Sequence, residues 1–169
     1  MPLLVTLAIA CFAGAVSIRV IDPVVADMAR DWAVTPAVIA LLASAFAFPY
    51  ALSQPLLGPA GDAYGKSRVI KIGLGVLAVA TVVVAVAPTL EMMFIARAVA
   101  GVAGGAIIPV ALATVGDRVP FAERQVALSH ILSAMLVAQL VSLTGSGLIA
   151  IAAMAADAAS DQRQPNASA

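Results

Sequence analysis

Residues 56–71 read LLGPAGDAYGKSRVIK. This short stretch holds three glycines, one aspartate and the cations Lys66, Arg68 and Lys71, and it lies between two long apolar runs. Charge collected at a bend between apolar segments is what a membrane chain shows where it turns round in water. Asp62 stands near the end of an apolar helix, where the backbone dipole disfavours an anion. A cation must compensate, and Lys66 and Arg68 are within reach. Gly58 and Gly61 allow a neighbouring helix to come close. Gly65 can take backbone angles closed to other residues. The residues alone also fit a plain polar turn.

The rest of the chain explains why charge is so localised. Of 169 residues, 63% are hydrophobic and 11% charged, with a net charge of zero; the mean hydropathy is +1.07. Soluble domains are roughly 45–50% apolar and about 25% charged. A soluble fold of this length could not hide so much apolar surface. Zero net charge and the lack of a basic stripe exclude nucleic acid as a partner. The single cysteine, Cys11, excludes an internal disulfide framework and reads as a small hydrophobe. No metal-ligand spacing surrounds His130, and no nucleophile–base pair appears, so no metal, cofactor or enzymatic activity is expected.

Charges divide the chain into apolar spans of the length a bilayer requires, about 20 residues. The expected fold is an all-α membrane protein with about five transmembrane helices, approximately 2–22, 37–60, 69–88, 90–115 and 124–152. They form one bundle over 1–153. Residues 154–169, rich in Ala, Ser, Asp and Gln, read as a disordered tail. Thr35 and Pro36 suit the cap and first position of the second helix, and Glu91 suits the positive end of the fourth. Lys66, Arg68, Lys71, Arg118 and Arg124 fall in loops of one side. The positive-inside rule then puts the N-terminus in the cytoplasm, in a multi-pass protein of the inner or plasma membrane.

The spacing G-x-x-x-D-x-x-G-K-x-R, carried by Gly58, Asp62, Gly65, Lys66 and Arg68, resembles the signature loop of the major facilitator superfamily. Three further stretches resemble the family's drug- and sugar-efflux, drug:proton antiporter-like branch, in the family's order. These are SIRVIDPVVADMARDW (17–32), RAVAGVAGGAIIP (97–109) and GDRVPFAERQVAL (116–128). Ala63 stands where the family has a basic residue. AQLVSLTGSGLIA (138–150) carries Gly145 and Gly147 without the proline of the family's antiporters. The resemblance implies a truncated N-terminal half, five helices of a six-helix unit.

Charges inside the spans are the sharpest functional clues, since each costs about 2.5–3.5 kcal/mol at the bilayer centre. Arg19 and Asp22 are three residues apart and share a helix face. Arg97 falls at a comparable depth on the fourth span. Asp22 pairs with Arg97 or Arg19 and responds to protonation on one reading; on the other, Arg19 and Asp22 snorkel to the outer interface. The resemblance links the fourth-helix arginine to proton coupling. Gly101 and Gly105 form a G-x-x-x-G pair for close helix packing, and Gly145 and Gly147 are further packing candidates.

What the resemblance implies is secondary active transport: proton-coupled efflux of a small molecule by alternating access. The partners would be the lipid bilayer, a small-molecule substrate, a proton and a missing C-terminal half. The alternative is a non-transporting membrane fragment, or a half-transporter that needs a separate C-terminal partner.

Overall fold

The computed structural model describes residues 2–19, 21 and 25–161, with six helices and no strand among them. They are α1 (Pro2–Arg19), α2 (Val25–Asp31), α3 (Pro36–Tyr64), α4 (Lys66–Val86), α5 (Leu90–Arg118) and α6 (Phe121–Asp161). Four of them, α3 to α6, are long and apolar enough to cross a membrane; α1 is a shorter apolar helix. At 1.5 Å per residue, its 18 residues reach about 27 Å, close to the hydrocarbon thickness. Large apolar side chains stand exposed on every long helix, among them Phe48, Leu56, Val79, Ile95 and Leu136. Water cannot solvate such a surface, and the backbone polar groups are already satisfied within helices. This is an all-α, multi-pass membrane protein.

α5 is the central helix. In its most apolar stretch 61% of residues are buried, against 22% in α3 and in α4 and 17% in α6. It packs along α3 on one side and α4 on the other, and α1 joins it on a third. α6 lies against α1 and barely touches α5. Small residues make this possible. Ala96, Ala100, Gly101, Ala103, Gly104, Gly105 and Ala106 give α5 a slim surface that neighbours can approach closely. The main core joins α1, α3, α4, α5 and α6 through Cys11, Phe46, Leu77, Ile107, Val110 and Ile131. A second core, Ile21, Ala29, Ile39, Leu42 and Met93, seats α2 against α3 and α5 at the end of the bundle remote from Lys66.

Several boundaries differ from those read off the sequence. The stretch read as a bend is helical through Tyr64 and again from Lys66, and the whole reversal falls on Gly65, at φ +92°. Only glycine reaches that angle cheaply, so one residue suffices. The first span ends as a helix at Arg19, and the short α2 follows it. α2 closes on Ala33 at φ 51°, with Val34 N–H donating to Ala29 O (3.0 Å) and Ala33 N–H to Arg30 O (3.2 Å), the paired bonds of a Schellman motif. α6 runs on through residues 154–161, where a disordered tail was expected. That segment is dominated by alanine, the strongest helix former. The remainder of the tail, 162–169, lies outside the described residues. Thr35 sits at the cap position before Pro36 but makes no side-chain cap; Thr89 does cap α5, its hydroxyl accepting from Met92 N–H at 3.3 Å.

Candidate functional site

At one end of the bundle α3 stops, α4 starts and α5 stops within reach of a single ammonium group. Lys66 Nζ donates to Asp117 Oδ2 and lies 3.1 Å from Asp62 Oδ1. Its side chain is only 18% exposed, whereas both carboxylates face outward. Lys66 is placed there by the reversal at Gly65, which sets it four residues after Asp62. Asp62 and Asp117 both lie near helix C-termini, where an anion is unfavourable. One cation thus answers two misplaced carboxylates and joins three helix ends. A polar hollow of ≈ 530 Å³ opens beside the bridge, lined by Lys66, Arg68, Arg118, Asp62, Asp117 and Thr114 among others.

The signature residues contribute unequally. A Cβ on Gly61 would meet Val110 at 3.2 Å, so α3 and α5 do approach there. A Cβ on Gly58 would meet nothing within 4 Å, so among the described residues no neighbouring helix makes the close approach expected at that position. Arg68 is exposed and lines the hollow. Asp117 was not singled out from the sequence. Its signal was present in GDRVPFAERQVAL: an acid ending the fourth span on the side that carries Lys66.

Further into the bundle Arg97 is 2% exposed. Its Nη1 donates to the Ser17 carbonyl of α1 at 3.1 Å, and its guanidinium lies 4.5 Å from the ring centroid of Phe46 on α3. A planar cation can stack on a ring and bond a carbonyl at once. Arg97 therefore joins α1, α3 and α5. Arg19, at the last turn of α1, is exposed, so the two arginines occupy different surroundings. Asp22 lies outside the described residues. Phe46 and Ser17 carry nothing in the sequence that marks them as partners of Arg97.

The α3–α5 contact explains the glycines. A Cβ on Gly101 would collide with the Phe46 carbonyl, and one on Gly105 with Ser53 Oγ and, at 2.6 Å, the Tyr50 carbonyl. Gly104 faces the Phe46 ring at 3.3 Å. Gly145 differs: no described atom lies within 4 Å of a Cβ there. Gly147 is on α6, and its surroundings lie outside the described residues. His130 is exposed, with Nδ1 2.7 Å from its own helix's Val126 carbonyl. Among the described residues no group of three His, Cys, Asp or Glu is placed to hold a metal.

Comparison with known proteins shows which family the chain belongs to. The family model described as Major Facilitator Superfamily matches residues 7–158, from within α1 to the last turn of α6. An uncharacterised MFS-type transporter of Bacillus subtilis, YwfA, is 37% identical over 125 residues, 73% of this chain and 30% of that protein. A triacylglyceride transporter of Mycolicibacterium smegmatis is 33% identical over 117 residues, 64% of this chain and 20% of its own length. Multidrug resistance protein D of Escherichia coli is 30% identical over 103 residues, 61% of this chain and 26% of its own. The chain spans about a third or less of the length of these relatives. With the match extending over all six helices and both charged clusters, the chain belongs to the major facilitator superfamily.

Proposed function

We propose that this chain forms the N-terminal helical half of a secondary active transporter that exports a small apolar molecule in exchange for protons. The observation that carries the reading is Arg97, a guanidinium buried in the central helix and fixed to two others. An ionisable group inside a membrane bundle is costly and is retained where charge is moved or bound. Its contacts with α1 and α3 make it a point through which a change of protonation nearby, Asp22 being the candidate, can alter packing. The Asp62–Lys66–Asp117 bridge serves as a latch on the cytoplasmic side. Its exposed carboxylates are available to a second half that rocks against this one. The names of the relatives, triacylglyceride transporter and multidrug resistance protein, support an apolar cargo.

The test is export of a lipophilic fluorescent compound from cells or vesicles that carry the chain with its complementary helices. Export should stop when a protonophore removes the proton gradient, and Asp22→Asn should abolish its pH dependence. Export that ignores the protonophore removes proton coupling from the reading.

A second reading is a half-transporter inert without a separate partner, for which the exposed carboxylates Asp62 and Asp117 of the Lys66 bridge would be docking groups. It requires that the chain alone exports nothing and that co-expression of a C-terminal half restores export.

A further inference from the structure

Two cavities meet at Tyr64 and Arg68. One is the polar hollow beside the Lys66 bridge, ≈ 530 Å³. The other is an apolar groove of ≈ 560 Å³ between α3, α4 and α5, walled by Leu57, Ile72, Val76, Val99 and Val102 with Gly73 among its lining. Through Ile72, Val76 and Val99 the groove continues into a further apolar cleft of ≈ 760 Å³ between α4 and α5. Ile72, Val76, Val99 and Val102 on its walls are exposed, so its contents come from the bilayer.

Charge in the hollow is unevenly used. Lys66 is taken up by Asp62 and Asp117. Among the described residues neither Arg68 nor Arg118 has a carboxylate partner. The hollow therefore offers two guanidinium groups without a carboxylate partner next to an apolar groove. We propose that this junction is a binding site for an anionic phospholipid, its phosphate on Arg68 and one acyl chain along the groove over Gly73, Val76 and Val99.

Physical chemistry limits what such a site can select. Moving an acyl chain from the bilayer into the groove yields no hydrophobic gain, because lipid tails are as apolar as the groove. Discrimination rests on the headgroup, for which a cation at the membrane surface gives a preference of about fivefold. The groove contributes shape and keeps a bare phosphate from competing. The hollow shares Lys66, Asp62 and Asp117 with the proposed latch, but lipid binding there is read without using transport.

The test is native mass spectrometry of the full chain in detergent with equal amounts of phosphatidylglycerol and phosphatidylethanolamine bearing identical chains. Phosphatidylglycerol adducts should dominate about fivefold. Arg68→Lys should keep the preference and Arg68→Gln should bring it to about one. Val76→Trp, which fills the groove at an exposed position, should lower the binding of both lipids. On the unaltered chain, neither inorganic phosphate nor chain-free glycerol phosphate should displace the bound lipid. Equal binding of the two lipids, or a preference that survives Arg68→Gln, overturns the proposal. Displacement of the lipid by inorganic phosphate also overturns it, in favour of a free-anion site.

Discussion

Arg97 on α5 donates to the backbone carbonyl of Ser17 on α1 at 3.1 Å, a bond between residues 80 positions apart. The same guanidinium faces the Phe46 ring of α3. Lysine would keep the charge but lose both the flat stacking face and the fork of donors. Arg97→Lys is therefore expected to destabilise the bundle by about 1–3 kcal/mol, from a charged hydrogen bond and a desolvated cation–π contact. Urea unfolding in detergent micelles would measure it. An unchanged midpoint would show that Arg97 does not hold the three helices together.

Glycines on α5 should separate into two groups when changed to alanine. At Gly101 and Gly105 the new methyl meets the α3 backbone, which cannot move aside like a side chain. Overpacking of that kind costs about 1–3 kcal/mol. At Gly116, also on α5, and at Gly75 on α4, the methyl meets open space. There the gain in helix propensity should stabilise by up to ~1 kcal/mol. Thermal unfolding of the four variants should rank them in that order.

The two residues with positive φ among the described residues, Gly65 and Ala33, should respond with opposite sign. Gly65→Ala places a Cβ at φ +92° and should destabilise by about 1–2 kcal/mol. Ala33→Gly removes a Cβ already held at φ 51° and should stabilise by about 0.5–1 kcal/mol. Equal effects on melting temperature would contradict the backbone geometry at both turns.

Replacing Lys66 by methionine leaves Asp62 and Asp117 facing each other without a cation. The ends of α3 and α5 should then move apart in low salt. Spin labels on Tyr64 and Gly116 would report a longer, broader distance distribution than in the parent chain. About 1 M salt, with a Debye length of ~3 Å, should erase the difference. No change in low salt would mean that the bridge merely decorates helix ends already held by packing.

Topology can be probed against a nearly silent thiol background. Cys11 is fully buried and is the chain's single cysteine. A water-soluble maleimide should leave it unmodified until the fold is disrupted. Cysteines placed at Lys66 and Arg124 should react only from the cytoplasmic face of sealed cells. Modification from outside would reverse the proposed orientation.

Much of this architecture was legible in the sequence because a bilayer enforces a simple rule. Charge is expelled to the ends of apolar segments, so Lys66, Arg68, Arg118 and Arg124 mark helix ends without any knowledge of packing. Gly65 was legible for a similar reason: a sharp reversal between two helices needs a residue free of a Cβ. Helix limits were less so. α2 is seven residues of mixed character seated by Ile39 and Met93, and a helix that short is formed by its neighbours rather than by its own propensity.

Amino-acid order by itself determined the membrane class, the central run of small residues on α5 and the charged reversal at Gly65, since each depends on local chemistry or on exclusion from lipid. Tertiary structure alone decided which groups meet. Gly58 and Gly101 both stand in G-x-x-x patterns, yet one faces open space and the other the Phe46 carbonyl. Asp117 became the partner of Lys66, and Ser17 and Phe46 those of Arg97, through the rotation of each helix about its axis. Periodicity constrains that rotation poorly when every face of a helix is apolar, so the pairing had to come from how the helices pack.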